Sequence, residues 1–186
     1  MSPSVSFRRA TPPDAAALAT FMTETFRDTY SRDRFGESRV EDVEAYVAHS
    51  FAEPIQRAEL ADERLVTVVA ERGGALVGYA QLRLDAPCPT RPGKRPVELA
   101  RFYVHRSLHG TGSAWALMDE CTRRVADADP LWLNVYQRNA RAMAFYAKWG
   151  FLRAGTQTFV MGDDVQDDWV LVRGPGSPVP PPPAPR

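Results

Sequence analysis

Two hydrophobic periods alternate along the chain. From Leu18 to Tyr30, apolar residues recur at steps of three and four, which predicts an amphipathic helix that begins near residues 11–14. Residues 65–70 instead form an unbroken run rich in β-branched side chains, which predicts a buried strand. The Arg-Gly-Gly sequence at residues 72–74 then predicts the turn of a hairpin. Helices and strands are therefore both expected.

The same patterns divide the rest of the chain. Strands are predicted at residues 5–9, 65–70, 75–84, 97–104, 131–136, 151–161 and 168–172. Helices are predicted at residues 11–30, 39–51, 53–62, 110–126 and 140–149. Four prolines and one glycine in residues 86–96 predict a loop. This order predicts an α/β sandwich around a mixed sheet.

The composition changes abruptly at Gly174. Most of the residues from there to Arg186 are proline, which cannot donate ladder hydrogen bonds and favours an extended polyproline conformation. We therefore expect one domain over residues 1–173 and a disordered tail over residues 174–186. The alternative is that the tail is a ligand for a proline-recognition domain.

Composition excludes several classes of function. The net charge is +0, so no nucleic-acid or membrane partner is indicated. The two cysteines and three histidines lack ligand spacing, which predicts neither a disulfide framework nor a metal site. No apolar run approaches the roughly 20 residues that span a bilayer, and no signal sequence is recognised, so a cytoplasmic location is expected.

Charge is unevenly distributed despite the neutral total. Residues 37–63 contain eight acidic and two basic residues, whereas residues 91–153 contain eleven basic and five acidic residues. The first segment suits a cationic partner and the second an anionic one. Ordinary solvated helix faces are the alternative explanation.

Residues 109–114, His-Gly-Thr-Gly-Ser-Ala, separate a predicted strand from a predicted helix. Small residues let the backbone approach a ligand closely, and the free N–H groups of a helix N-terminus suit a phosphate or pyrophosphate. A tight structural turn would give the same pattern. A dinucleotide motif would place a third glycine near Ala114-Trp115, and a phosphate loop would require a lysine that is missing here.

Residues 104–118 resemble motif A of the GNAT N-acetyltransferases, which reads Gln/Arg-x-x-Gly-x-Gly/Ala. His109, Gly112 and Ala114 occupy its three defined positions. The resemblance implies a GNAT fold with a mixed, mostly antiparallel central sheet and helices on both faces. It also implies an enzyme that uses acetyl-CoA, with no metal.

The resemblance assigns the cofactor-binding residues. The pyrophosphate would be held by Gly110, Thr111, Gly112, Ser113 and Ala114. The pantetheine arm would pair with Phe102, Tyr103 and Val104. His109 replaces the usual Gln or Arg, and a neutral imidazole carries less positive charge, so weaker cofactor affinity is expected.

Residues 139–151 contain a second signal. Asn139 is a good helix N-cap and Gly150 a good C-terminal stop, so packing of Tyr146 in the core is one interpretation. The segment also resembles GNAT motif B, which implies that Tyr146 lies beside the cofactor sulfur and that Asn139 contacts pantetheine. A phenol with a pKa of about 10 can hydrogen-bond or protonate the departing thiolate, so Tyr146 is the candidate general acid.

Glu98 interrupts an apolar strand at the position where histone-type GNAT enzymes carry a catalytic glutamate. The resemblance makes it the candidate base that takes a proton from the amine. A salt bridge to an arginine is the alternative, because a buried carboxylate needs a partner or a raised pKa. A backbone N–H near residues 102–104 would meet the oxyanion.

Residues 24–30 and 159–168 resemble segments of PaiA-type polyamine acetyltransferases, which implies a small-molecule amine acceptor. Carboxylates attract polycations, and the candidate acceptor residues are Glu24, Asp28, Tyr30, Asp163 and Asp164. A solvated hairpin turn would also explain the aspartates. The alternatives are a peptide, protein or antibiotic-like amine, or a CoA-binding regulator without turnover. Many relatives form dimers, so a homodimer is also expected.

Overall fold

The computed structural model describes residues 4–30 and 38–183. Its helices are α1 (Ala15–Thr29), α2 (Val40–Phe51), α3 (Glu53–Ala61), α4 (Ser113–Arg124) and α5 (Ala140–Lys148). Its strands are β1 (Val5–Arg9), β2 (Leu65–Arg72), β3 (Ala75–Leu84), β4 (Val97–Val104), β5 (Leu131–Tyr136), β6 (Leu152–Met161) and β7 (Asp164–Arg173). Two short 3-10 turns, Pro12–Asp14 and Arg106–Leu108, precede α1 and α4.

The described strands form one seven-stranded sheet in the order β1-β2-β3-β4-β5-β7-β6. Every neighbouring pair is antiparallel except β4 and β5, which are parallel. The pairing of β4 with β5 covers only Val97 with Leu131 and Glu98 with Trp132. Beyond Glu98 the two strands separate, and a gap opens in the middle of the sheet.

Helices pack on both faces of the sheet, as the sequence predicts. Val68 and Val69 are adjacent in β2 and both fully buried, but they point to opposite faces. Val68 packs in the core with Leu117 of α4, whereas Val69 packs in the core with Met22 of α1. The predicted mixed α/β fold is therefore confirmed.

An irregularity marks β4 where it leaves β5. Gln81 of β3 pairs with Arg101, but its neighbour Leu82 pairs with Leu99. Ala100 is the extra residue of a β-bulge, a feature that locally bends and twists a strand. The bulge lies just beyond Glu98, so it contributes to the separation of the two strands.

Three predicted boundaries were wrong. The helix predicted from residue 11 begins as a 3-10 turn, and α1 starts only at Ala15. The helix predicted at residues 110–126 is shorter, because Gly110 and Gly112 both adopt positive φ. The last strand begins at Asp164 rather than Asp168, since its acidic residues alternate between a buried and an exposed face that the sequence pattern concealed.

The proline-rich segment lies against the domain. Residues 174–183 have no regular secondary structure, in keeping with their proline content, and residues 184–186 lie outside the described residues. Arg173 Nη2 donates to Ser177 O at 2.6 Å, and Trp115 Nε1 of α4 donates to Pro180 O at 3.1 Å. These contacts differ from the free tail that the composition predicts, although the domain boundary itself stays a prediction.

In the described ranges, no helix has the length and apolar character needed to cross a membrane. The same residues contain no group of three or more His, Cys, Asp or Glu side chains that could hold a metal ion.

Candidate active site

The gap between β4 and β5 continues into a cleft of about 740 Å³. One end is formed by the loop before α4, including His109, Gly110 and Ala114. The other end is formed by α1, by Tyr30 directly after it, and by α2, including Tyr46. The cleft therefore connects the predicted cofactor loop with the predicted acceptor residues.

The loop before α4 presents backbone N–H groups. Gly110 and Gly112 have φ of 79° and 85°, which side chains disfavour, so these positions require glycine. The first hydrogen bond at the start of α4 runs from Ala116 N to Gly112 O at 3.0 Å. The N–H groups of Ser113, Ala114 and Trp115 thus lack an intrahelical acceptor, which is the arrangement that binds a phosphate group.

The hydroxyl groups of this loop bond to the loop itself. Thr111 Oγ1 donates to Leu108 O at 2.7 Å and lies 2.8 Å from Ser113 Oγ. Because the single Thr111 proton goes to Leu108, Ser113 is the donor in the second contact. The backbone, rather than these two side chains, is therefore available to an anion. Gly110 and Ala114 line the cleft, whereas Thr111, Gly112 and Ser113 do not.

His109 is held by two neighbours. Arg141 Nη1 of α5 lies 2.8 Å from His109 Nδ1, and His109 Nε2 lies 3.1 Å from Val104 O. A guanidinium can only donate, so Nδ1 accepts and the ring proton resides on Nε2, which donates to Val104. The neutral histidine expected here thus stands beside a cation from α5 that also lines the cleft.

The free side of β4 faces the cleft. Beyond Glu98 the strand has no β5 partner, so its backbone can pair with an extended, amide-containing chain in the manner of an added strand. Phe102, Tyr103 and Val104 all line the cleft, and the Phe102 ring stacks on Phe145 of α5 at 5.5 Å. The Val104 carbonyl is already engaged by His109.

Asn139 performs the capping role that the sequence predicts. Its Oδ1 accepts a hydrogen bond from Ala142 N at 3.0 Å, which caps α5, and the residue lines the cleft. The oxygen of its amide is occupied by the helix, so the amide nitrogen is the group that remains for a ligand.

Tyr146 lies between the two ends of the cleft. It is 8% exposed, packs edge-on against Phe102 with ring centroids 6.4 Å apart, and lines the cleft. Burial, with a smaller contribution from Tyr103, raises the pKa of its phenol above the ordinary value. It both packs in the core and reaches the cleft, so the two sequence interpretations are compatible.

Glu98 lies at the point where β4 and β5 separate and lines the cleft. Arg83, directly opposite on β3, donates a hydrogen bond to its carboxylate at 2.5 Å. Burial raises the pKa of Glu98, and the Arg83 charge opposes that rise. The salt bridge considered as an alternative is thus present, and a role as base stays a prediction.

The structure separates the predicted acceptor residues. Glu24, Asp28 and Tyr30 line the cleft, and Asp28 approaches Arg106 at 3.8 Å. Asp163 does not line it; its side chain is 85% exposed at the β6–β7 turn and is paired with Arg39 at 3.0 Å. Its neighbour Asp164 accepts a hydrogen bond from Ser38 at 2.6 Å.

Sequence reasoning missed several cleft residues, of which Asp168 and Arg141 bear most directly on function. Asp168 lines the cleft from β7 but was taken only as the start of a strand. Arg141 is on α5, whereas its partner His109 is in the loop before α4, and nothing in the sequence around Arg141 indicates that contact. An acidic residue directly before an apolar strand was the one signal that pointed to Asp168.

The chain belongs to the acetyltransferase (GNAT) family, whose sequence profile matches residues 21–151. It is 42% identical over 116 residues to an uncharacterized N-acetyltransferase of Mycobacterium tuberculosis, covering 61% of this chain and 70% of that protein. It is 28% identical over 160 residues to an uncharacterized N-acetyltransferase of Lactobacillus delbrueckii subsp. lactis, covering 85% and 90%.

The fold is similar to that of the PaiA N-acetyltransferase from Thermoplasma acidophilum, solved in complex with coenzyme A. The TM-score is 0.70 at 17% identity, over 92% of this chain and 99% of the other. Family membership and the geometry of the loop agree: the protein is an acetyl-CoA-dependent N-acetyltransferase. The backbone N–H groups at the start of α4 fit the pyrophosphate of that co-substrate.

Proposed function

We propose that the enzyme acetylates a primary amine by direct attack within a ternary complex. The continuous cleft carries this proposal, because it reaches from Gly110 and Ala114 at the cofactor loop to Glu24 on α1 and Tyr30 directly after it. Both substrates can therefore be bound at once, and the transfer needs no acetylated protein side chain.

Tyr146 supports the departure of the thiolate. The amine nitrogen bonds to the acetyl carbon, the C–S bond breaks, and negative charge collects on sulfur. Burial keeps the Tyr146 phenol protonated, so it is a hydrogen-bond donor throughout the neutral pH range. The unpaired edge of β4 beyond Glu98 supplies N–H groups for the oxyanion, which is the role predicted for residues 102–104.

Glu98 is one candidate for the base. Its position in the cleft supports that role, but its carboxylate is already bound by Arg83. Glu98→Gln should shift the acidic limb of the pH profile of kcat/KM if Glu98 accepts the proton. An unchanged profile would exclude it.

A polyamine is the acceptor that we propose to test first. Glu24 and Asp28 both lie on the acceptor wall of the cleft, where carboxylates can attract a second or third ammonium. Asp163 is not part of this wall, so it is omitted from the proposed site. A cytoplasmic location and a homodimer also stay predictions.

The test is an amine panel with acetyl-CoA, followed by thiol release and by mass spectrometry of the products. Spermidine, spermine, a simple monoamine, an aminoglycoside and a peptide with a free N-terminus cover the acceptor classes. Acetylation of spermidine above the monoamine supports the polyamine assignment, and preference for the peptide contradicts it. Binding of CoA without release of thiol from any amine would identify a CoA-binding regulator instead.

A further inference from the structure

Asp168 is a buried carboxylate that the chemistry described so far does not use. It is 9% exposed and lines the acceptor end of the cleft. Its Oδ1 is buried and has no hydrogen-bond partner among the described residues. A buried carboxylate oxygen without a donor is costly, so its presence indicates that a donor arrives with a ligand.

Aromatic side chains from three elements surround this carboxylate. Tyr30 at the C-terminal end of α1, Tyr46 of α2 and Tyr103 of β4 line the cleft together. Burial is the main cause of the raised pKa of Tyr30 and of Tyr103. Tyr103, Asp168 and Tyr46 raise that of Tyr30 further, and Tyr46 and Asp168 raise that of Tyr103, so these four groups lie within electrostatic range of one another. Phe159 of β6 completes the aromatic wall and meets Tyr46 edge-on at 5.5 Å.

This combination recognises a cation. Aromatic faces attract an ammonium through their π-electrons, and a desolvated carboxylate attracts it more strongly still. On the same face of β7, the neighbours of Asp168 two positions away are apolar Val170 and buried Gln166, whose amide donates to Asp164. Burial and the like charge of Asp167 raise the pKa of Asp168. Among the described cleft residues, the cation that acts on the pKa of Tyr103 is Arg101, and its guanidinium is already paired with the Glu59 carboxylate at 2.6 Å.

We propose that Asp168 binds the reacting ammonium of the acceptor and takes its first proton, with Tyr30, Tyr46 and Tyr103 enclosing the cation. This inference rests on the proposed function and names the group on the protein that receives the amine. The base that accepts the ammonium proton is then Asp168 on β7 instead of Glu98 on β4.

The proton balance is closed by groups already described. An N–H bond of the ammonium breaks and its proton passes to the Asp168 carboxylate, which leaves a neutral amine. The amine lone pair forms the N–C bond, the C–S bond breaks, and the second proton lost by nitrogen ends on the CoA thiol beside Tyr146. Asp168 then releases its proton to solvent. The net products are the N-acetylamine, CoA and one proton.

The two candidate bases, Glu98 and Asp168, differ in their partners. Glu98 accepts a charged hydrogen bond from Arg83 at 2.5 Å, which stabilises its ionised form and occupies it. Asp168 has no such cation, and burial and the Asp167 charge raise its pKa to about 6. A carboxyl in this range is ionised at neutral pH and is a stronger base than an ordinary aspartate.

The test compares Asp168→Asn with Asp167→Asn. Both substitutions remove one carboxylate from adjacent positions of β7, but Asp167 is exposed and points to the other face. Asp168→Asn should lower kcat/KM for the best amine on the order of 100-fold, the range found for loss of an acid–base group. Asp167→Asn should change it less than about threefold. The acidic limb near pH 6 should vanish in Asp168→Asn. It should persist in Asp167→Asn but move to a slightly lower pH, because the charge of Asp167 helps to raise the pKa of Asp168.

A binding measurement separates this inference from the proposed function. Titration of an amine into the CoA-loaded enzyme needs no turnover, and Asp168→Asn should weaken the amine while the affinity for CoA stays within twofold. If the wild-type enzyme acetylates no amine but Asp168 still governs amine binding, the transfer proposal fails and the ammonium site stands.

Three results would overturn the inference. They are equal effects of the two aspartate variants, an acidic limb that survives in Asp168→Asn, and a limb that is lost in Glu98→Gln instead. Asp168→Ser serves as a second neutral variant should the Asn variant fail to fold, with thermal unfolding as the check.

Discussion

Arg141 Nη1 lies 2.8 Å from Nδ1 of His109, across 32 residues of sequence. The contact brings a guanidinium from α5 to the loop where His109 replaces the Gln or Arg of motif A. The positive charge that the loop sequence lacks is thus supplied from another element. The weaker cofactor affinity expected from His109 alone need not follow.

Replacing Arg141 tests this compensation. Arg141→Gln should weaken CoA binding about three- to tenfold, because a charge near a phosphate group contributes about 1 kcal/mol in a solvated site. The loss should shrink at high salt, since salt screens the wild-type interaction. Titration calorimetry at two ionic strengths measures both effects.

Lys148→Gln is the matched control, since it removes an exposed cation from the other end of α5. Equal losses in the two variants would show that Arg141 acts only through the overall charge of the helix.

Tyr146→Phe separates the chemical role of the phenol from its packing role. The ring and its contacts with Phe102 and Phe151 remain, but the hydroxyl donor to sulfur is lost. We expect kcat to fall about 100-fold while the Kd for CoA changes less than twofold. Stopped-flow thiol release and CoA titration measure the two quantities. A parallel loss of both would assign Tyr146 to packing alone.

Asp168 should make stability depend on pH in an unusual direction. Its pKa is about 6 in the folded protein and 3.8 in the unfolded chain, so between these values the folded state binds more protons. The contribution of Asp168 to the free energy of unfolding is therefore fully present below about pH 4 and is lost as pH rises through 6. Asp168→Asn should therefore unfold at a higher temperature than wild type at pH 7.5.

The expected gain is at most about 2 kcal/mol, given that the cleft admits solvent. Chemical denaturation at pH 4 and pH 7.5 measures it. The two proteins should differ at pH 7.5 and converge at pH 4, and a constant difference would contradict the raised pKa.

Removing residues 174–186 tests the docked tail. The truncated chain loses the hydrogen bond from Trp115 Nε1 to Pro180 O, a contact worth about 1 kcal/mol. Tm should fall by about 2–4 °C, and Trp115 fluorescence should shift to the red. Trp115→Phe in the full chain identifies the fluorescence signal. An unchanged Tm and spectrum would support the free tail that the composition predicts.

Local patterns predicted the fold better than they predicted the cleft. The Gly-x-Gly loop and the Asn139 cap depend on backbone preferences within a few residues, so both were readable in the sequence. The partners of Glu98 and His109 could not be read in the same way. Arg83 meets Glu98 through strand register, and Arg141 meets His109 through helix packing, and neither is encoded nearby.

Asp163 and Asp168, on one hairpin, also show that local sequence does not predict which side chain reaches the cleft. Both belong to a run of aspartates, of which the charge pattern singled out Asp163 and Asp164 as candidates but not Asp168. The tight turn at Gly162 leaves Asp163 exposed, whereas the alternation of β7 turns Asp168 into the cleft. A change of a few positions in register decides which carboxylate can meet a substrate.

The docked tail has a practical consequence for anyone who produces this enzyme. Pro183 Cγ lies 3.7 Å from the position that a Cβ on Gly112 would occupy. Three further residues span at most about 10 Å, so an affinity tag fused after Arg186 would start close to the loop that receives CoA. A purification handle fused there should therefore be removed before the affinity for CoA is measured.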